Sequence, residues 1–185
     1  MDYSDYNQVR NLIMRYAYYI DHGDIEGMSQ LFSRATVHFE DGKIIDSSPT
    51  EIEELFRAFL KIYPNGTPRT KHVISNLIIE PIEKNYWTAK SYVTVFQQTD
   101  DFPLQPIITG EYHDKFEKVG NSWRFAERYI INDLFGDLSS HGKYEYSYKE
   151  YYCNWFIQWI WSKYINRFSR KWVECIFIRS KHRKC

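Results

Sequence analysis

The chain predicts an α+β domain, with helices first and then a strongly curved, mixed but mostly antiparallel sheet that wraps them. Three observations carry this reading. Apolar residues recur at three- and four-residue spacing near the start, where Val9, Leu12, Ile13, Tyr16, Ala17 and Ile20 form one stripe. Four strand-like stretches follow, at residues 72–81, 86–98, 106–119 and 123–133. Their joins are turn-like and short, with Glu83-Lys84-Asn85 and Gly120-Asn121 the tightest, as hairpins require.

The punctuation between the stretches supports each element. Ser4 or Asp5 is placed to cap the first helix, and Gly23 ends it. Asp24 caps a short second helix that puts Ile25, Met28, Leu31 and Phe32 on one side. Residues 35–40 alternate as a strand, with Val37 and Phe39 on one face. Asp41-Gly42 then turns the chain into Lys43-Ile44-Ile45. Ser48-Pro49-Thr50-Glu51 is a helix start with its cap, its proline at the first helical position and its glutamate three residues after the cap. That helix is expected to run through Ile52, Leu55, Phe56, Phe59 and Leu60 to about Tyr63, where Pro64-Asn65-Gly66 stops it.

Composition divides the 185 residues into a domain at 1–142 and a C-terminal extension at 143–185. The net charge is zero, but the domain holds 14 Lys and Arg against 21 Asp and Glu, and the extension holds 10 against 3. An acidic domain with no recognisable nucleic-acid module argues against nucleic acid as a partner. Aromatics at 18% point to a roomy interior lined by rings or to an aromatic interaction surface. No stretch reaches the ~18–20 apolar residues that cross a bilayer. The acidic, polar N-terminus is unlike a signal peptide, and the three cysteines (Cys153, Cys175 and Cys185) lack framework spacing, so a reducing, cytoplasmic setting is expected. In the extension Trp155, Phe156, Trp159 and Ile160 recur at helical spacing, so residues 149–165 are expected to be helical. Three readings of this segment stand open: packing over a pocket mouth or subunit interface, contact with an anionic membrane surface, or an addition outside the ancestral domain.

One pair of residues carries the chemistry. Asp21 closes the first helix, and His72 opens a strand fifty-one residues later. An ionised carboxylate beside an imidazole holds one tautomer and raises the basicity of the other ring nitrogen, which makes a general base usable near neutral pH. Tyr16 precedes Asp21 by about 1.4 helical turns, so the two border one pocket without stacking, and its hydroxyl suits a developing oxyanion. Along its strand His72 is expected to share a face with Ile74, Asn76 and Ile78, a mixed polar and apolar wall. By the same period of two, Gly110, Tyr112, Asp114 and Phe116 share a face. Tyr112 points inward if Phe116 does, and so becomes a candidate for substrate contact.

The stretches at residues 15–32, 38–43, 70–79 and 110–125, with the nearby Arg128, make the chain resemble the SnoaL-like branch of the NTF2-like (cystatin-like cone) superfamily over about three quarters of its length. The resemblance implies that helices fill the concave face of the sheet and that Asp21 and His72 face each other in a pocket at its open end. It implies a cofactor-independent enzyme, since the group includes scytalone dehydratase, bile acid 7α-dehydratase, a dehydrochlorinase and polyketide cyclases. It further implies polar substrate contacts near the end of the last strand, at Arg128 and Asn132, and assembly as a homodimer or homotrimer. Arg128 has a plainer reading, an ion pair with Glu111 or Asp114.

A dehydratase or cyclase acting on a small hydrophobic oxygenated substrate of polyketide, terpenoid or steroid type is the leading expectation. The alternatives are a non-catalytic binding or oligomerisation module, and an isomerase with Asp21 as base. Scytalone dehydratase carries a further pocket histidine on the strand after the first; residues 86–98 contain none here, which counts against a mechanism needing two imidazoles. The remaining histidines read as bland, with His22 at a helix end, His38 and His113 on the surface and His141 closing the domain. No metal-ligand spacing and no glycine-rich phosphate loop is seen, so neither a metal nor a nucleotide cofactor is expected.

Overall fold

A computed structural model describes residues 2–143; the readings of the C-terminal extension lie outside these residues. Three helices, α1 (Tyr3–Asp21), α2 (Ile25–Gln30) and α3 (Pro49–Phe59), accompany six strands. These are β1 (Thr36–His38), β2 (Ile44–Asp46), β3 (Thr70–Glu83), β4 (Tyr86–Thr99), β5 (Phe102–Val119) and β6 (Ser122–Phe135). They form one sheet in the order β2-β1-β6-β5-β4-β3, where only the β1–β6 pairing is parallel. The sequence-based order of elements and the α+β class agree with this architecture.

Register shifts interrupt the β3–β4, β4–β5 and β5–β6 ladders, and each such irregularity bends and twists the strands it touches. The sheet therefore curls around the helices. Val9, Ile13, Tyr16 and Ile20 from α1, with Ile25, Met28 and Phe32 from α2 and the turn after it, bury against Trp87, Ala89, Val93, Phe116 and Phe125 of the sheet. The Phe125 ring lies tilted against Phe32 and Phe116 at centroid distances of 4.9 and 4.8 Å.

Two boundaries differ from the sequence-based reading. The cap of α1 is Asp2, whose carboxylate accepts from the Ser4 N–H, while Asp5 lies inside the helix and pairs with Lys118 at 2.6 Å. Helix α3 ends at Phe59, before Tyr63, because Leu60 turns to extended backbone and bridges Gly142 in antiparallel fashion. The Asp24 and Ser48 caps form as the sequence suggests, accepting from Gly27 N–H at 2.8 Å and Glu51 N–H at 3.4 Å.

Candidate active site

The end of α1 places Asp21. Gly23 N–H bonds to Ile20 O and Asp24 N–H to Tyr19 O, the paired bonds of a Schellman stop, with Gly23 at φ +74°. A β-carbon at Gly23 would sit 2.1 Å from the carbonyl oxygen of Gly66, so the bare glycine lets the helix end press against the turn that feeds β3. Four residues after Gly66, β3 begins at Thr70 and brings His72 to Asp21.

The Asp21 carboxylate then meets three donors. Thr70 donates its hydroxyl to Oδ1 at 2.8 Å, the His72 backbone N–H donates to Oδ2 at 2.8 Å, and the His72 ring meets Oδ1 through Nδ1 at 2.7 Å. Burial pushes the Asp21 acid upward, but the His72 ring bond and charge, the His72 N–H and the Thr70 hydroxyl outweigh it and hold the carboxyl below its ordinary range. An ionised Asp21 makes Nδ1 the donor, so the lone pair of a neutral His72 resides on Nε2. Among the described residues none bonds Nε2. The two side chains are 8% and 7% exposed.

Tyr16 stands edge-on to the His72 ring, with centroids 6.5 Å apart, and edge-on to Tyr112 at 5.5 Å. The two phenols lie close enough to influence each other's acidity. Burial raises both phenols above their ordinary value, Tyr112 the more, so each is a neutral hydroxyl near pH 7.

Beneath these rings lies Arg128, fully buried. Its guanidinium makes a two-pronged ion pair with Asp114, Nε to Oδ1 and Nη2 to Oδ2, each 2.7 Å. It also lies 4.3 Å from the centre of the Tyr16 ring and 4.4 Å from that of Tyr112, within range for a cation–π contact. Burial works against the charge, but Asp114 more than restores it and the group stays cationic. Arg128 is thus a support under the two tyrosines, and of the two ion-pair partners read from the sequence it is Asp114 that it takes. Asn132 sits apart from this cluster, two residues beyond Ile130 on β6. Its backbone N–H donates to Glu40 Oε2 at 3.0 Å. Burial raises Glu40 above the usual carboxylate value, partly offset by Asn132.

Two sequence-based readings of the wall are corrected. Asn76, at φ +49°, and Leu77 together face Ser91, a bulge that reverses the alternation of β3. Asn76 and Ile78 therefore turn outward and are exposed, while Leu77 and Ile79 take the inner face behind His72 and Ile74. His141 is the second correction. It is 5% exposed, packs edge-on to Phe59 at 5.5 Å, and lies within electrostatic reach of His72. A second imidazole is therefore buried in this domain, and it comes from the segment after β6, where no strand alternation could signal it. Thr70 was also passed over, although its two-residue offset from His72 puts both on one strand face. Half-buried His38 and His113 bond Glu127 and Glu111, and exposed His22 caps α1, so these three histidines are peripheral.

Comparison with known proteins fits this geometry. The SnoaL-like domain family matches residues 1–129. The chain belongs to the SnoaL-like family. No curated protein matches it. Among solved structures it is similar to a cystatin-like-fold protein from Nostoc punctiforme, at 21% identity over 72% of this chain and 94% of that one, with a TM-score of 0.58. It is also similar to a candidate scytalone dehydratase from Novosphingobium aromaticivorans (19% identity, 71% and 85% covered, TM-score 0.56) and to LinA (16%, 72% and 88%, 0.56). At these identities the likeness shows the fold, which is the NTF2-like cone that the sequence suggested. Among the described residues of this SnoaL-like chain, no helix is long and apolar enough to cross a membrane, and no cluster of three or more His, Cys, Asp or Glu is arranged to hold a metal.

Proposed function

We propose that this SnoaL-like protein is a cofactor-independent lyase of the dehydratase or cyclase type, with His72 as general base on a small hydrophobic oxygenated substrate. The 2.7 Å bond between Asp21 and His72 Nδ1 carries the reading, because it fixes the tautomer and directs the unbonded Nε2 lone pair away from the carboxylate. His72 takes a proton next to a carbonyl, Asp21 stabilises the imidazolium, and Tyr16 donates to the enolate oxygen or the departing hydroxyl. The aromatic walls fit substrates of polyketide, terpenoid or steroid type. Asp21 itself is poorly suited to be the base, since both its oxygens are occupied by Thr70 and His72. Asp-oriented bases in this family's dehydratases offer a parallel, through family resemblance alone.

The test is a substrate screen on the purified protein followed by substitution. His72→Ala is expected to lower turnover by about 10²–10⁴ with the fold intact, and Tyr16→Phe to lower kcat by about 10²-fold with little change in KM. Near-wild-type turnover in the His72 variant overturns the mechanism.

A further inference from the structure

The two oxygens of Asp21 are unequally loaded. The His72 ring and the Thr70 hydroxyl meet on Oδ1 at 2.7 and 2.8 Å, while the His72 backbone N–H alone takes Oδ2 at 2.8 Å. The two contacts from His72 already fix the carboxylate, one on each oxygen, so Thr70 is not needed to aim it. Thr70 is nonetheless 2% exposed and directs its hydroxyl at the oxygen that faces the ring. The backbone behind it is shaped for this. Arg69 takes φ +59°, a left-handed conformation that side chains seldom adopt, and turns the chain between Pro68 and Thr70. Gln97, the cross-strand partner of Thr70, donates from its side chain to Pro68 O at 3.0 Å, and Arg69 Nε donates to Gln98 O at 3.0 Å. Strand β4 therefore holds the turn that presents the hydroxyl.

We infer that Thr70 is a positioning residue for the base, whose hydroxyl occupies Oδ1 so that the proton bridging Asp21 and His72 stays on Nδ1 throughout the reaction. This inference rests on the proposed role of His72 and deepens it. In a dehydration, His72 Nε2 takes the proton of a C–H bond whose electron pair forms the new C=C bond. The C–O bond breaks with its pair on oxygen. That oxygen takes the proton back from Nε2 and leaves as water, so no co-reactant is needed. Between the two transfers both ring nitrogens carry protons, and an unloaded carboxylate would draw the Nδ1 proton to itself. The result would be a neutral acid beside a neutral imidazole, which is a far weaker acid at Nε2 than an imidazolium, and the return of the proton would stall. An oxygen that already accepts two hydrogen bonds is a poor place for a proton, because hydrogen bonds to the charged form favour that form. Thr70 thus keeps the pair ionic at the step where its charge is used.

The experiment uses the full chain labelled with ¹⁵N-histidine, as wild type, Thr70→Val and Thr70→Ser, with the His72 signals assigned by their loss in His72→Ala. Valine keeps the shape of threonine without the hydroxyl, and serine restores the donor. Tyr16 and His141, the other titratable groups that bear on the His72 ring, are the same in all three proteins. NMR follows the Nδ1 proton from neutral pH downward. In T70V it should move downfield and its one-bond coupling to nitrogen should fall, most where Nε2 is also protonated, because the proton is drawn toward Oδ1. T70S should match the wild type. Thr70→Ala, which also lacks the hydroxyl, should give the T70V signature, so the result does not hang on how valine packs. With a substrate from the screen, T70V should lower kcat by roughly 10- to 100-fold, the worth of a hydrogen bond to a charged group, with KM unchanged. T70S should recover most of that loss. An Nδ1 proton that stays in place in T70V and T70A, or a loss of turnover that T70S does not recover, overturns the role of Thr70. If Nδ1 of the wild type carries no proton near neutral pH, the His72 reading itself fails.

Discussion

Asp21 shows how one residue serves both the fold and the chemistry. Its three short bonds tie the end of α1 to the start of β3, and one of them orients the base. Asp21→Asn retains the shape but must turn an amide NH₂ toward donors that need an acceptor. The expected cost is about 2–3 kcal/mol at pH 7, the range for hydrogen bonds to a charged group, together with loss of the His72 tautomer lock. The sign of the pH effect follows from the lowered acid. A carboxylate stabilised in the folded state contributes fully above its unfolded value near 3.8, and the contribution fades as pH falls through the lower folded value. Urea denaturation of the two proteins should therefore diverge at pH 7 and converge toward pH 2. A gap that persists at pH 2 would mean that shape, not charge, holds the contact. Arg128 has a different logic. Its charge is already buried, so Asp114→Ala strands a cation between two phenol rings, and a loss of roughly 3–5 kcal/mol is expected in the same assay. A loss under 1 kcal/mol would show that the rings alone satisfy it.

At the scale of elements, the site depends on where α1 stops. Gly23→Ala adds a β-carbon at a positive φ and 2.1 Å from a backbone oxygen, so either the helix end or the turn at Gly66 must move. The αL penalty alone is about 1–2 kcal/mol. The expected result is a larger drop in unfolding free energy than that, with the His72 imidazole signals losing the pattern of an Asp-bound ring. A drop confined to the αL penalty would mean that the turn yields without disturbing Asp21. Such local devices were legible in the sequence, because Gly23, Asp24, Ser48-Pro49 and Asp41-Gly42 act within four residues of themselves. The pairing of Asp21 with His72 was legible only through element order and family likeness. The bulge at Asn76 and Leu77 was not, because nothing in an alternating apolar run marks where a partner strand will oppose two residues with one. Nor was the early end of α3, which is set by a bridge from Leu60 to Gly142, 82 residues later (142 − 60). His141 was missed for the same reason: its burial is made by partners at Phe59, Lys61 and Gln97, distant in sequence.

For the whole molecule, the cone encloses a polar cluster that cannot be fully dry or fully wet, and its stability should follow pH in a way that reports on that interior. His141 is held neutral by burial, down from 6.5 to about 4, so between these values the unfolded chain binds a proton at this ring and the folded chain does not. Stability tied to His141 is complete above pH 6.5 and falls as pH drops toward 4, by about 1.4 kcal/mol per pH unit and roughly 3 kcal/mol in all. Other groups act in neighbouring windows. The lowered acids Asp5, Asp21 and Glu127 withdraw their contributions below their ordinary range, near pH 4 and under. Glu40, raised by burial, works the other way, since protonation relieves its cost as the solution becomes acidic. The whole-molecule curve mixes these signs, but a difference curve does not. Subtracting the unfolding free energy of H141F from that of the wild type at each pH from 4 to 8 cancels the carboxylates that both proteins share. The difference should be flat above pH 6.5 and slope downward below it. A flat difference across the whole range would mean that His141 takes up a proton in the folded state as easily as in the unfolded chain, and so that the enclosed end of the cone is open to water.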